Sequence, residues 1–272
     1  MVSPSVNVSI NKQLPNEKIV LTVQDITVSF SGFVAVRNMN LSLIQRELHF
    51  LIGPNGAGKT TMLDVICGKT KPVSGQVLLP DGTDLISKKE HQVARLGIGR
   101  KFQAPSVFGG LTVRENLEIA QNPNKNVFST LRKRRGGCLT NEMKEVVEQI
   151  GLGHRLNLRA GSLSHGEKQW LEIGMLLLQK PEVLLLDEPV AGMTDEETNK
   201  TGVLLTEIAK ERSVVVVEHD MEFVRQYAQK VTVMHEGTLL TEGTMQEVQQ
   251  NPVVAEVYLG KRRKNDAVTE GD

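Results

Sequence analysis

Gly53-Pro54-Asn55-Gly56-Ala57-Gly58-Lys59-Thr60-Thr61 follows the short apolar stretch Glu47–Gly53, which reads as a strand, and runs into Lys59–Cys67, which reads as a helix. A strand, a glycine-rich turn and then Gly-Lys-Thr at a helix start is the order in which a phosphate-binding loop is built. Glycines let the backbone curl so that successive N–H groups converge on phosphate oxygens. The helix start adds the positive end of its dipole. Lys59 is placed to reach β- and γ-phosphates, and the Thr60 hydroxyl to ligate Mg²⁺. A chance glycine-rich turn would need neither the strand before it nor the helix after it. The stretch therefore predicts a nucleoside triphosphate site inside an α/β fold.

A phosphate loop alone does not choose among kinases, GTPases and motor ATPases. The next signal is Val183-Leu184-Leu185-Leu186-Asp187-Glu188-Pro189, an apolar strand ending in two adjacent carboxylates. Asp187 at the strand end suits a Mg²⁺ contact, and Glu188 is placed to polarise a water for in-line attack on the γ-phosphate. Two carboxylates at a strand end are otherwise an ordinary solvated turn; beside a phosphate loop the chemical reading is the stronger one.

Around these stretches the chain alternates. Ile19–Phe30, Val34–Leu43 and Gly75–Leu79 read as strands, as do Val214–Val217, Val231–Met234 and Thr238–Leu240. Trp170–Gln179, Glu196–Lys210 and Asp220–Gln229 read as helices. From about Gln103 to Ala160 the pattern turns helical, with Val113–Ala120 and Asn141–Ile150 as its two helices, which predicts a helical insert in an α/β core. Residues 1–18 read as a flexible leader without signal-peptide character, and residues 261–272 as a flexible tail. The runs Arg132–Arg135 and Lys261–Lys264 read as solvated surface.

Lys+Arg and Asp+Glu number 32 each, so no global field draws in nucleic acid or an anionic membrane. Aromatic residues at 4% are too few for a base-stacking surface. Cys67 and Cys138 follow no metal or redox spacing, which fits a reducing compartment. No apolar run approaches the ~18–20 residues that span a bilayer. A membrane role would have to come through a partner.

Leu163-Ser164-His165-Gly166-Glu167, just ahead of a helix, resembles the Leu-Ser-Gly-Gly-Gln signature of ABC transporter ATPases. The resemblance implies that this segment caps the γ-phosphate of ATP held by the opposite subunit, through Ser164 and the N–H groups around Gly166. His165 and Glu167 depart from the pattern, and the second puts an extra negative charge near a triphosphate unless it points away. Further matches fall in order. Gln103 resembles the glutamine that reaches Mg²⁺ and the attacking water and senses the membrane partner. His219, 31 residues beyond Glu188, resembles the switch histidine that contacts the γ-phosphate. Ala191–Thr194 resembles the D-loop at the dimer interface. Phe30, 29 residues before Lys59, stands where the family places an aromatic on adenine, with Phe33 a nearby competitor and a core role the plain alternative.

The family resemblance covers about Val20 to Gly260. It implies a P-loop NTPase (RecA-like) core with an antiparallel β subdomain and a helical subdomain at about 103–180, within an ATPase domain at 19–260. It also implies head-to-tail pairing with a second ATPase subunit, a different chain in the cell, and work on integral membrane permease subunits at the cytoplasmic face, with a substrate-binding protein further along. ATP and Mg²⁺ are the expected nucleotide and cation, and no nucleic acid is expected. Glu218-His219-Asp220-Met221 and the ending Asn251-Pro252 through Tyr258-Leu259-Gly260 resemble the branched-chain amino acid importer branch. Ser164–Met175 and Val190–Thr198 resemble the larger ATPase subunit of urea importers, making urea the expected cargo and a branched-chain amino acid the alternative. An ABC ATPase acting on DNA or ribosomes would carry two cassettes or a long coiled-coil insert, and a small-molecule kinase would leave the signature segment without a task.

Overall fold

The computed structural model describes residues 18–101, 107–121 and 139–257. Two sheets organise them. The smaller is antiparallel, formed by β1 (Ile19–Phe30), β2 (Phe33–Ile44) and β4 (Ser74–Leu78) in the order β2-β1-β4. Ser31 and Gly32, at φ 48° and 90°, turn β1 into β2, the positive-φ pair that matches the twist of a tight hairpin. The larger sheet has six strands in the order β5-β6-β7-β3-β8-β9: β3 (Leu48–Ile52), β5 (Ile98–Arg100), β6 (Val183–Asp187), β7 (Ser213–Val217), β8 (Lys230–His235) and β9 (Thr238–Gly243). Five of these pair in parallel, and β9 closes the edge antiparallel to β8.

The described α-helices are α1 (Lys59–Ile66), α2 (Glu90–Arg95), α3 (Val113–Gln121), α4 (Asn141–Gln149), α5 (His165–Leu177), α6 (Asp195–Ala209), α7 (Met221–Tyr227) and α8 (Met245–Gln250). The two faces of the parallel sheet feed two cores, as period-2 side-chain alternation requires. Phe50, Ile52, Leu184, Leu186, Val214 and Val216 point to the helical side, against Leu117, Met143, Ile173, Leu205 and Phe223. Leu51, Leu185, Val215 and Val217 point the other way, onto Met62 and Leu63 of α1 and onto Leu21, Ile26, Val36 and Met39 of the antiparallel sheet. Strands buried on both faces explain the unbroken apolar runs at 183–186 and 214–217. Each such side chain contributes about 1.5–3 kcal/mol of transfer free energy.

The strand and helix expectations hold to within a few residues, with one larger correction. The helix expected from Trp170 begins at His165, because Ser164 accepts from the Glu167 N–H while Glu167 accepts from the Ser164 N–H, a capping box that starts the helix five residues early. α2, β5 and α8 span 3 to 6 residues, too short for periodicity to announce them. Gln103, the Arg132–Arg135 run, the 1–17 part of the leader and the 261–272 tail lie outside the described residues. Among the described residues, no helix is long and apolar enough to cross a membrane.

Candidate active site

The parallel strands β3, β6 and β7 end side by side, and the chemistry-bearing residues stand just past their carboxyl ends, where open α/β sheets place ligands. Past β3, the loop from Gly53 to Gly58 curls against its neighbours. A Cβ on Gly53 would lie 2.2 Å from the Met234 carbonyl oxygen, and one on Gly58 2.7 Å from that of Ala35. Both glycines hold positive φ, 154° and 97°, so a side chain is excluded by space and by backbone. Gly58 caps α1 without a side-chain bond, leaving the first N–H groups of that helix to a ligand. The Lys59 ammonium lies within the loop, donating to the carbonyls of Gly53 at 2.8 Å and Pro54 at 3.1 Å.

Ala35 belongs to β2, so the β1–β2 hairpin lies against this loop. At its tip Phe30 and Phe33 are paired across the turn and exposed by 49% and 68%. Neither is a core residue, and both present an open aromatic face.

At the end of β6, Asp187 is buried, and the Thr60 hydroxyl of the phosphate loop favours its charged form. Burial raises the Asp187 carboxyl above its ordinary range, while Thr60 and the Arg100 guanidinium, 3.7 Å away, oppose the rise. Arg100 also pairs with Asp64 of α1 and donates to the Cys67 sulfur at 3.3 Å. It stands at the end of β5, three residues before Gln103, and no motif in the sequence pointed to it. Thr60 and Asp187 supply oxygen ligands of the kind a hard divalent cation takes. No cluster of three or more His, Cys, Asp or Glu forms a metal site among the described residues. Such a pair suits a Mg²⁺ ion whose remaining ligands are phosphates and water, and a cation there would relieve the desolvated Asp187.

Glu188 takes the left-handed conformation at φ 48° while its N–H donates to Val217 of β7. That twist turns its side chain out of the strand, and the carboxylate, 41% exposed, lies 3.5 Å from Nδ1 of His219. A residue just past β7, behind them, was missed by sequence reasoning. Glu218, 1% exposed, accepts from the N–H of Val190 at 3.3 Å and of His219 at 3.1 Å. Burial pushes its carboxyl up, opposed by those two N–H groups. It ties the segment after Glu188 to the histidine.

Ser164, His165 and Gly166 gather with residues 191–197. The Ser164 hydroxyl donates to Glu197 Oε1 at 3.0 Å, and His165 Nε2 lies 3.1 Å from the Ala191 carbonyl oxygen. The expected difficulty with Glu167 is resolved by geometry. Its Oε2 accepts from the Ser164 N–H, and its Oε1 accepts from Arg155 Nε at 3.0 Å, so the charge is turned inward and paired. The structure thus brings Lys59, Thr60, Asp187, Glu188 and His219 into one group and Ser164 and Gly166 into a second; Gln103 lies outside the described residues.

Residues 36–191 match the family model described as ABC transporter, and residues 238–264 match that described as branched-chain amino acid ATP-binding cassette transporter. The chain is 36% identical over 250 residues to the high-affinity branched-chain amino acid transport ATP-binding protein LivG of Escherichia coli (strain K12), covering 89% of this chain and 98% of that one. It is 34% identical over 251 residues to the corresponding protein BraF of Pseudomonas aeruginosa, with the same coverage. Among solved structures, it resembles a nucleotide-free ATP-binding cassette from an ABC transporter (29% identity, TM-score 0.76) and the ADP conformation of MJ1267, an ATP-binding cassette of an ABC transporter (30%, 0.76). Each alignment covers 89% of this chain and 99% of the other.

Proposed function

The chain belongs to the ABC transporter ATP-binding family, and from that premise we propose that it is the ATP-hydrolysing subunit of an importer for branched-chain amino acids. The observation that carries the chemistry is the convergence of a phosphate loop, a buried Asp187 whose charge Thr60 favours, and the Glu188–His219 pair at the ends of neighbouring parallel strands. The Gly53–Thr61 backbone cradles the triphosphate, and the Lys59 ammonium leaves its loop carbonyls for the β- and γ-phosphates. Phe30 stacks on the adenine. Glu188 accepts a proton from the attacking water, and His219 orients that carboxylate and contacts the γ-phosphate. Thr60, Asp187 and Gln103 would hold Mg²⁺, which would supply positive charge to neutralise the phosphate oxygens. Ser164 and Gly166 close over the γ-phosphate of ATP bound to a second ATPase subunit, a different chain in the cell.

No helix among the described residues spans a membrane, so transport requires permease subunits, which we place against the cytoplasmic face and in contact with this chain. A cleft of about 490 Å³ at the end of β5, lined by Ala94, Arg100, Lys101, Glu172, Met175 and Leu176, offers such a partner a mixed apolar and charged seat. A substrate-binding protein joins only through the permeases.

The expectation of urea as cargo gives way to the alternative. It rested on Ser164–Met175 and Val190–Thr198, which lie at nucleotide and interface positions and never meet the cargo. The match at 238–264 and the 34–36% identical relatives favour branched-chain amino acids. Uptake of labelled leucine and labelled urea by cells with and without this subunit decides the matter. Loss of leucine uptake alone is expected; loss of urea uptake with leucine uptake intact would restore urea and leave the ATPase chemistry untouched.

A further inference from the structure

Glu197, in the first turn of α6, has no task in the mechanism above, yet its carboxylate lies on the segment meant for the second subunit's nucleotide. Oε2 accepts from the Thr194 N–H at 3.1 Å and from the Thr194 hydroxyl at 3.3 Å, closing the capping box of α6. Oε1 reaches the other way, to the Ser164 hydroxyl at 3.0 Å. The carboxylate then covers Gly166 so closely that a Cβ there would lie 2.6 Å from both Cδ and Oε1. An anion at the N-terminal turn of a 13-residue helix is favourably placed. A serine hydroxyl has one proton to donate. While Ser164 gives it to Glu197, it cannot give it to a phosphate oxygen.

We propose that Glu197 is a positioning residue that holds the signature segment in a self-satisfied state, its carboxylate standing where a γ-phosphate oxygen must arrive. The inference rests on the reading that Ser164 and Gly166 cap the nucleotide of the opposite subunit. Two anions do not share one helix start and one hydroxyl, so closure of the subunits on ATP releases Ser164 from Glu197. The ordinary carboxylate range of Glu197 is lowered by the Thr194 N–H first, then by the hydroxyls of Ser164 and Thr194 and the nearby His165, so a formal charge competes with the phosphate at neutral pH. The Glu167 charge does not compete, because Arg155 takes it up.

The test uses the complete transporter with this subunit carrying Glu197→Gln. A glutamine still closes a capping box but competes without charge for the Ser164 proton. The ATP concentration for half-maximal hydrolysis is expected to fall about tenfold, the scale of one charge-assisted hydrogen bond, with kcat nearly unchanged. Binding of a non-hydrolysable ATP analogue to the isolated subunit should not move, since its own phosphate loop is untouched. Glu197→Asp, whose carboxylate retreats by one methylene and can still cap, should shift the half-maximal concentration in the same direction. An unchanged or raised value in both variants overturns the inference. Ser164→Arg, run in parallel, separates the two readings: its inactivity keeps the signature segment in the ATPase site whatever Glu197 does, and its full activity removes that reading and this inference with it.

Discussion

Glu188 and Lys59 belong to one proposed site, but their surroundings assign them different losses. Glu188 is the half-exposed carboxylate next to a buried one, and its left-handed backbone turns it toward His219. Glu188→Gln keeps the shape and removes the proton acceptor, so turnover should drop by about 10²–10⁴-fold while ATP binding survives. Single-turnover hydrolysis alongside equilibrium binding measures both, and near wild-type hydrolysis would remove Glu188 from the role of base. Lys59 carries the ammonium inside the loop, bonded to the Gly53 and Pro54 carbonyls. Lys59→Ala should weaken binding of a non-hydrolysable ATP analogue itself, as loss of a charged hydrogen-bond donor to phosphate. Unchanged affinity would mean that the backbone N–H cradle suffices and that the ammonium acts only on the transition state.

At the scale of elements, the strand leading to Gln103 and the signature helix are joined by a buried ion pair. Lys101 Nζ at the end of β5 lies 3.7 Å from Glu172 Oε2 on α5, with side chains only 4% and 3% exposed. Burial lowers the Lys101 pKa, and Glu172 opposes that most strongly among its neighbours. Glu172→Gln leaves the buried ammonium without its strongest counter-charge and should destabilise the domain by about 3–5 kcal/mol, whereas Lys101→Met with Glu172→Leu together should restore most of the loss. Denaturant unfolding of the three variants checks it; a double variant as unstable as the single one would mean that packing, not charge, joins these elements. This pair was not legible in the sequence, and neither were Arg100, Glu218 and Glu197, for a shared reason. Each acts across elements distant along the chain, where neither spacing nor periodicity speaks. Elements and residues that obey local rules were legible: the doubly buried strands 183–187 and 213–217, the loop 53–61, and Asp187 and Glu188 at a strand end. The early start of α5 was missed because Gly166 and the polar run at 167–169 mask an apolar period that begins only at Trp170. The capping pair Ser164 and Glu167 marks that start by hydrogen bonding instead.

The whole molecule presents two half-sites on one chain: a phosphate loop with its carboxylates, and a signature segment whose own contacts run to Ala191 and Glu197 rather than to that loop's ligand positions. One chain holding both halves completes no site by itself if the signature segment serves a neighbour; two chains placed head to tail complete two. Crossing two defects then gives a definite result. A Ser164→Arg chain keeps its loop and loses its cap, and a Lys59→Ala chain loses its loop and keeps its cap. In each pure preparation every site contains a defect. In the mixed pair one site receives Lys59 from the first chain and Ser164 from the second, while the other site collects both defects. ATPase activity should therefore reappear on mixing, in proportion to the mixed pairs formed and up to about half the wild-type rate per pair if the sites fire independently. Mixed-pair formation is measured separately by pull-down through a tag on one chain only, because recovery has meaning only against a known number of mixed pairs. Mixed pairs without activity would show either that the cap acts within its own chain or that one intact site cannot turn over alone. A pair joining a doubly defective chain to a wild-type one separates these outcomes. It leaves each site with one broken half under cross-subunit capping, and one site wholly intact under capping in cis. Activity in that pair, and none in the crossed pair, would place the cap and the loop of a single chain on the same nucleotide.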